Sequence, residues 1–108
     1  MSLSTHVLDT TRGRPAAKVP VRLDRYLGGR WQPLAEATTG DDGRLGDLPA
    51  GEPGTYRLRF GTGPYFTAQG VETFYPEVSV VFTVTDAGEH YHVPLLVNPY
   101  GYSTYRGS

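Results

Sequence analysis

Apolar and polar residues alternate in short runs along most of this chain, and nearly every run ends at a glycine, a proline or an aspartate. "SLSTHVLD" (2–9) puts Leu3, Thr5 and Val7 on one face of a strand and Ser4, His6 and Leu8 on the other. "TTRGRPA" follows as a turn carrying Gly13 and Pro15. "KVPVRLDRYL" (18–27) alternates Val19, Val21 and Leu23 against Lys18, Arg22 and Asp24, and Pro20 inside it predicts an edge strand or a bulge. "RWQPLAEATT" (30–39) reads as a third strand after the Gly28-Gly29 turn. "GDDGRLGDL" (40–48) is turn-rich, with Asp42-Gly43 its strongest signal, and no strand is assigned to it. "GTYRLRFGT" (54–62) is a strand with Tyr56, Leu58 and Phe60 on one face.

The next segment breaks the alternation. In "GPYFTAQG" (63–70), Pro64 suits the first position of a short helical turn and Gly70 its stop. Strands resume with the β-branched "EVSVVFTVTD" (77–86), then "EHYHVPLLVN" (89–98) after the Gly88 turn, and "YGYSTYRG" closes the chain. Seven or eight strands and one short helix in one domain spanning 1–108 predict an all-β, two-sheet sandwich.

Composition narrows the function classes. Ten Lys+Arg against eleven Asp+Glu give a formal net charge of -1, which offers no electrostatic case for nucleic acid or an anionic membrane. There is no cysteine, so disulfides and thiolate metal sites are excluded. The N-terminal residues show no basic segment followed by an apolar one, and no apolar run approaches the ~20 residues that span a bilayer, so a cytoplasmic location is expected.

The histidines carry the candidate chemistry. In the late strand Tyr91, Val93, Leu95 and Val97 form the apolar face, so His90 and His92 point away from the core, as His6 does in the first strand. Outward histidines are ordinarily plain surface residues. If the two strands are neighbours in one sheet, however, His6 and His92 or His90 cluster on its outer surface. An imidazole titrates near ~6.5, so such a pair can supply a base and an acid near neutral pH. His-X-His plus His6 also fits, in part, a three-histidine metal site. Arg44, just past the Asp42-Gly43 turn, is either a solvated loop residue or a planar guanidinium offered to a polar or anionic ligand.

"STHVLDTTRGRPA", "DGR" at 42–44 and "HYHVPLLVNPYGYSTYRGS" together resemble the 5-hydroxyisourate hydrolases, the transthyretin-like enzymes of urate breakdown. "GTYRLRFGTGPYF" and "TFYPEVSVVFTVTD" resemble their middle strands, so the likeness covers nearly the whole chain in order. Its most specific part is the terminal "YRGS" joined to "HYHVPLL".

That resemblance implies a transthyretin/prealbumin-like sandwich of two four-stranded sheets with one short helix. It implies a homotetramer with active sites in a central channel lined by outer sheet faces. Its catalytic positions fall on His6, Arg44 and His92, and its substrate-binding tetrapeptide on Tyr105, Arg106, Gly107 and Ser108. The implied reaction is hydrolysis of 5-hydroxyisourate to 2-oxo-4-hydroxy-4-carboxy-5-ureidoimidazoline, without metal or organic cofactor. The face assignment of His6 and His92 agrees with it, because a channel lined by a sheet surface needs its catalytic side chains off the core face. The competing reading is a carrier of small aromatic ligands on the same fold.

Overall fold

The computed structural model describes residues 2–108. Among them, nine strands and one short helix form a sandwich of two sheets. β1 (Ser2–Asp9) pairs antiparallel with β2 (Arg14–Pro15) at one end and β5 (Arg44–Leu48) at the other, and its opposite edge pairs in parallel with β8 (His90–Asn98). β8 in turn pairs antiparallel with β9 (Gly101–Thr104). The second sheet runs β4 (Arg30–Thr38), β3 (Pro20–Leu27), β6 (Gly54–Phe60), β7 (Val78–Val84), all antiparallel. The first sheet therefore has five strands rather than the expected four, because the two residues of β2 add to it.

The alternation in the sequence places the core. Leu3, Val7, Tyr91, Leu95 and Val97 from the first sheet meet Val21, Leu23, Tyr56, Leu58, Phe60, Val78 and Val84 from the second, all of them buried. Thr5 shares the inward face of β1 because its hydroxyl donates to the Val93 carbonyl at 2.6 Å, so this buried hydroxyl is paired. Buried Asp9, at the end of β1, accepts the backbone N–H groups of Thr11 and Arg12 and the Tyr65 hydroxyl at 2.8 Å.

Three local expectations need correction. Residues 44–48 are a strand, not turn: the Asp42-Gly43 turn folds them back along β1. β3 is an inner strand, not an edge. Pro20 is its first residue, where a missing N–H costs no ladder bond, and the bulge lies further on, between Leu23 and Asp24. The helix α1 (Thr62–Thr67) begins two residues before Pro64, which sits in the first turn, where backbone N–H groups have no helical partner anyway. Gly70, with φ 71°, ends the turn as expected.

Candidate functional site

The outer face of the five-stranded sheet gathers residues from three distant stretches of chain. β1 and β8 run parallel with Ser4 opposite His92 and His6 opposite Pro94. Side chains one pleat apart share a face, so His6, Ser4, His90 and His92 all point outward together. A two-residue offset along paired strands separates the His6 and His92 backbones by on the order of 8 Å, within reach of two imidazoles around one small molecule. On the other side of β1, Arg44 is the register partner of His6.

The Asp42-Gly43 turn fixes this corner. Gly43 has φ 75°, and a Cβ there would lie 2.5 Å from the Val7 carbonyl oxygen, so both the conformation and the close approach require glycine. The Gly43 carbonyl accepts the Val7 N–H at 2.8 Å, which clips the turn onto β1. The Asp42 carboxylate accepts the Arg44 N–H at 3.0 Å, and the Asp42 carbonyl lies 2.9 Å from His6 Nε2. A carbonyl only accepts, so His6 Nε2 carries the hydrogen and a neutral His6 keeps its lone pair on Nδ1. The Arg44 guanidinium is exposed and has no ion-pair or hydrogen-bond partner among the described residues.

His92 is half-buried, and its Nδ1 lies 2.8 Å from Ser4 Oγ. The same hydroxyl lies 3.1 Å from Nε2 of exposed His90, whose ring stacks near-parallel to that of His92 at 6.5 Å. His92 Nε2 has no hydrogen-bond partner among the described residues. Loss of solvation holds the His92 imidazole below the ordinary histidine value, and the charges of Arg44, His6 and His90 push the same way, against a smaller opposing contribution from Ser4. That shift favours the neutral imidazole, the form that accepts a proton.

The chain end reaches the same place. Gly107 forms an isolated bridge with His92, donating its N–H to the His92 carbonyl at 2.8 Å. A Cβ on Gly107 would lie 2.6 Å from Cδ2 of the His92 ring, so the backbone passes directly against the imidazole. Arg106 turns the other way, donating to Glu89 at 2.8 Å with its guanidinium 4.5 Å from the centre of the Tyr91 ring. Tyr105 and Arg106 line an opening of about 270 Å³ between β7 and β8 at the sandwich edge. Ser108 is exposed. His6, Arg44, His92 and Gly107 are thus brought together, whereas the Tyr105 and Arg106 side chains face a separate opening of the same chain.

Two features escaped the sequence reading. Ser4 stood on the correct face but carried no signal until the β1–β8 pairing set it opposite His92. The Asp42 carbonyl, as a backbone group, leaves no trace in residue type. His6 Nε2 and His92 Nδ1 are each engaged, and among the described residues no three His, Asp or Glu side chains gather in a metal-holding arrangement. A cleft of about 610 Å³, lined by Arg12, Arg14, Lys18 and Tyr65 among others, contains none of the predicted residues.

Residues 3–107 match the HIUase/Transthyretin family. The chain belongs to that family. It is 50% identical over 113 residues to the 5-hydroxyisourate hydrolase of Caulobacter vibrioides, covering 98% of this chain and 97% of the relative. Its fold is similar to that of the 5-hydroxyisourate hydrolase of Klebsiella pneumoniae, with a TM-score of 0.88 and 38% identity over the whole of both chains. Sea bream transthyretin in complex with thyroxine superposes with a TM-score of 0.92 at 31% identity, over 97% of this chain and 93% of that one. The family thus includes a hydrolase and a thyroxine binder on one sandwich, and the outer-face residues must separate the two readings.

Proposed function

We propose that this protein is an enzyme of urate breakdown that hydrolyses 5-hydroxyisourate to 2-oxo-4-hydroxy-4-carboxy-5-ureidoimidazoline. The observation that carries this reading is the register of three strands: His6 opposite Arg44, and His92 opposite Ser4, on one outward face. Relatives named 5-hydroxyisourate hydrolase, among them ones 47% and 50% identical over 98% of this chain, support the choice of substrate. A surface built only for apolar cargo has no use for two imidazoles and an exposed guanidinium.

Neutral His92 takes a proton from water through its open Nε2, and His6 orients that water through the lone pair on Nδ1. The water oxygen bonds to the ring carbonyl carbon, and Arg44 favours the negative oxygen that develops there. The C–N bond to the ring nitrogen then breaks, and His92 returns its proton to that nitrogen. No step uses a metal or an organic cofactor.

The face is open in a single chain, and an open sheet surface leaves water and substrate free to exchange. We therefore read the working unit as a homotetramer in which a facing subunit closes the site and Arg106 and Ser108 complete it across the interface. The test is the decay of freshly generated 5-hydroxyisourate, followed by absorbance with and without protein. Decay no faster than the spontaneous rate removes the proposal. The carrier reading is favoured by the similarity to sea bream transthyretin, and tight binding of an iodinated aromatic ligand without turnover is the result that would select it.

A further inference from the structure

His90 has no place in the scheme above, yet it is joined to His92 through one hydroxyl. We infer that Ser4 is a positioning residue that fixes the tautomer of His92 and links it to His90 as a proton reservoir. This inference rests on His92 being the base of the proposed hydrolysis.

The chemistry follows from counting donors. A serine hydroxyl donates one hydrogen and accepts others. Ser4 Oγ lies 2.8 Å from His92 Nδ1 and 3.1 Å from His90 Nε2, so the oxygen can accept from one ring nitrogen while it donates its hydrogen to the other. Two arrangements satisfy this. In the first, His92 Nδ1–H donates to Ser4, Ser4 donates to His90 Nε2, and His92 Nε2 is a bare lone pair facing the site. In the second, every hydrogen has moved one place: His90 Nε2–H donates to Ser4, Ser4 donates to His92 Nδ1, and His92 Nε2 holds a hydrogen.

The first arrangement is the base form. When His92 Nε2 takes a proton from water, the water O–H bond breaks and its oxygen bonds to the substrate carbon. The Nδ1 proton then passes to Ser4 as the hydroxyl proton passes to His90 Nε2. His92 is left neutral with Nε2–H, and the positive charge rests on His90. The return transfer delivers the same proton to the leaving nitrogen as its C–N bond breaks, and the relay runs back.

Placement favours this direction of charge. His92 is half-buried beside Arg44, whereas His90 is exposed at the start of β8, where water solvates an imidazolium. The two imidazole planes lie within 16° of each other with their centres 6.5 Å apart, on either side of the Ser4 hydroxyl. The parallel pairing builds the relay into the fold, since Ser4 is the register partner of His92.

The test uses the full chain with ¹⁵N-labelled histidine. Ring nitrogen shifts of neutral His92 are measured in the wild-type protein and in Ser4→Ala, Ser4→Thr and His90→Gln variants, beside kcat and KM for 5-hydroxyisourate. The expected wild-type state is predominantly Nδ1–H at His92. Ser4→Ala and His90→Gln should shift it toward the Nε2–H form preferred by free histidine. Their kcat should fall roughly 10–100-fold with KM little changed. Ser4→Thr, which keeps the hydroxyl, should restore both. An unchanged His92 tautomer in Ser4→Ala, or unchanged kcat in both Ser4→Ala and His90→Gln, overturns the inference. If the wild-type protein fails to hydrolyse 5-hydroxyisourate, the functional reading falls, and the tautomer shifts still decide whether Ser4 sets the His92 proton.

Discussion

Gly107 and His92 are joined through the backbone, N–H to carbonyl at 2.8 Å, so the second-last residue of the chain is a ladder partner of a candidate base. That bond, with the Arg106 guanidinium over the Tyr91 ring, ties the last residues to β8. The exposed Arg106–Glu89 pair adds little, since such pairs contribute about 0–1 kcal/mol. Gly107→Ala places a methyl group against the His92 ring, 2.6 Å from Cδ2 before relaxation. We expect a kcat loss of about tenfold or more with an unchanged melting temperature, because the clash falls on the reacting ring and not on the core. Deletion of Arg106-Gly107-Ser108 should abolish turnover and leave the far-UV spectrum of the sandwich intact. Full activity in the truncated chain would return the ending to the role of a tail.

The depressed His92 pKa sets a sign for the pH dependence. Desolvation is the main cause, helped by Arg44 from β5, His6 from β1 and His90 from β8. The base form exists above the pKa, so kcat/KM should hold through weakly acidic pH and fall only below the ordinary histidine value of ~6.5. Replacing Arg44 by Gln removes a positive charge, so the acid limb should move to higher pH while the maximal rate falls. A limb that stays in place in Arg44→Gln would show that Arg44 does not act on His92. Folding has a matching sign. The unfolded state binds the proton more readily, so this group's contribution to stability falls as pH drops from its unfolded pKa toward the lowered folded one.

Arg44 is expected to act through its planar fork as well as its charge. Arg44→Lys keeps the charge and loses the two-pronged geometry, so activity should fall at least tenfold, with most of the loss in kcat. Steady-state kinetics across Arg44→Lys and Arg44→Gln separate the two contributions. Equal activity in Arg44→Lys and wild type would reduce the guanidinium to a point charge.

Stability should respond on the opposite sheet. Asp24 is buried between Arg57, at 2.9 Å, and Arg59, also at 2.9 Å, and Arg57 stacks 4.4 Å from the ring of Trp31, the chain's one tryptophan. Asp24→Ala leaves two partly buried guanidinium groups without their carboxylate, which should cost about 3 kcal/mol. Urea unfolding at fixed protein concentration, read by tryptophan fluorescence, measures this. Because the cluster lies on the sheet away from His6 and His92, kcat of the folded variant should match wild type.

The strands and the core were legible because residue parity follows from pleating alone. Leu3, Val7, Tyr56, Leu58 and Leu95 were assigned inward from alternation, and all are buried. The same parity placed His6, His90 and His92 outward. What parity cannot supply is which strands are neighbours. The parallel pairing of β1 with β8 joins residues more than eighty positions apart, and only that pairing turns Ser4 from an ordinary polar residue into the partner of two histidines. β5 was missed for a related reason. "RLGDL" is short, glycine-interrupted and half exposed, and it is a strand because the turn at Gly43 lays it along β1. The resemblance to 5-hydroxyisourate hydrolases supplied the candidate positions, and the strand register supplies their relation in space.

The central claim is that His6 and His92, brought to one face by β1 and β8, together carry out the hydrolysis. The most direct test is single-turnover decay of freshly generated 5-hydroxyisourate with wild type, His6→Ala and His92→Ala, each confirmed folded and of wild-type oligomeric size. Rapid decay with wild type and losses of about 10²–10⁴-fold in each variant are predicted. Near wild-type decay with both variants would contradict the account.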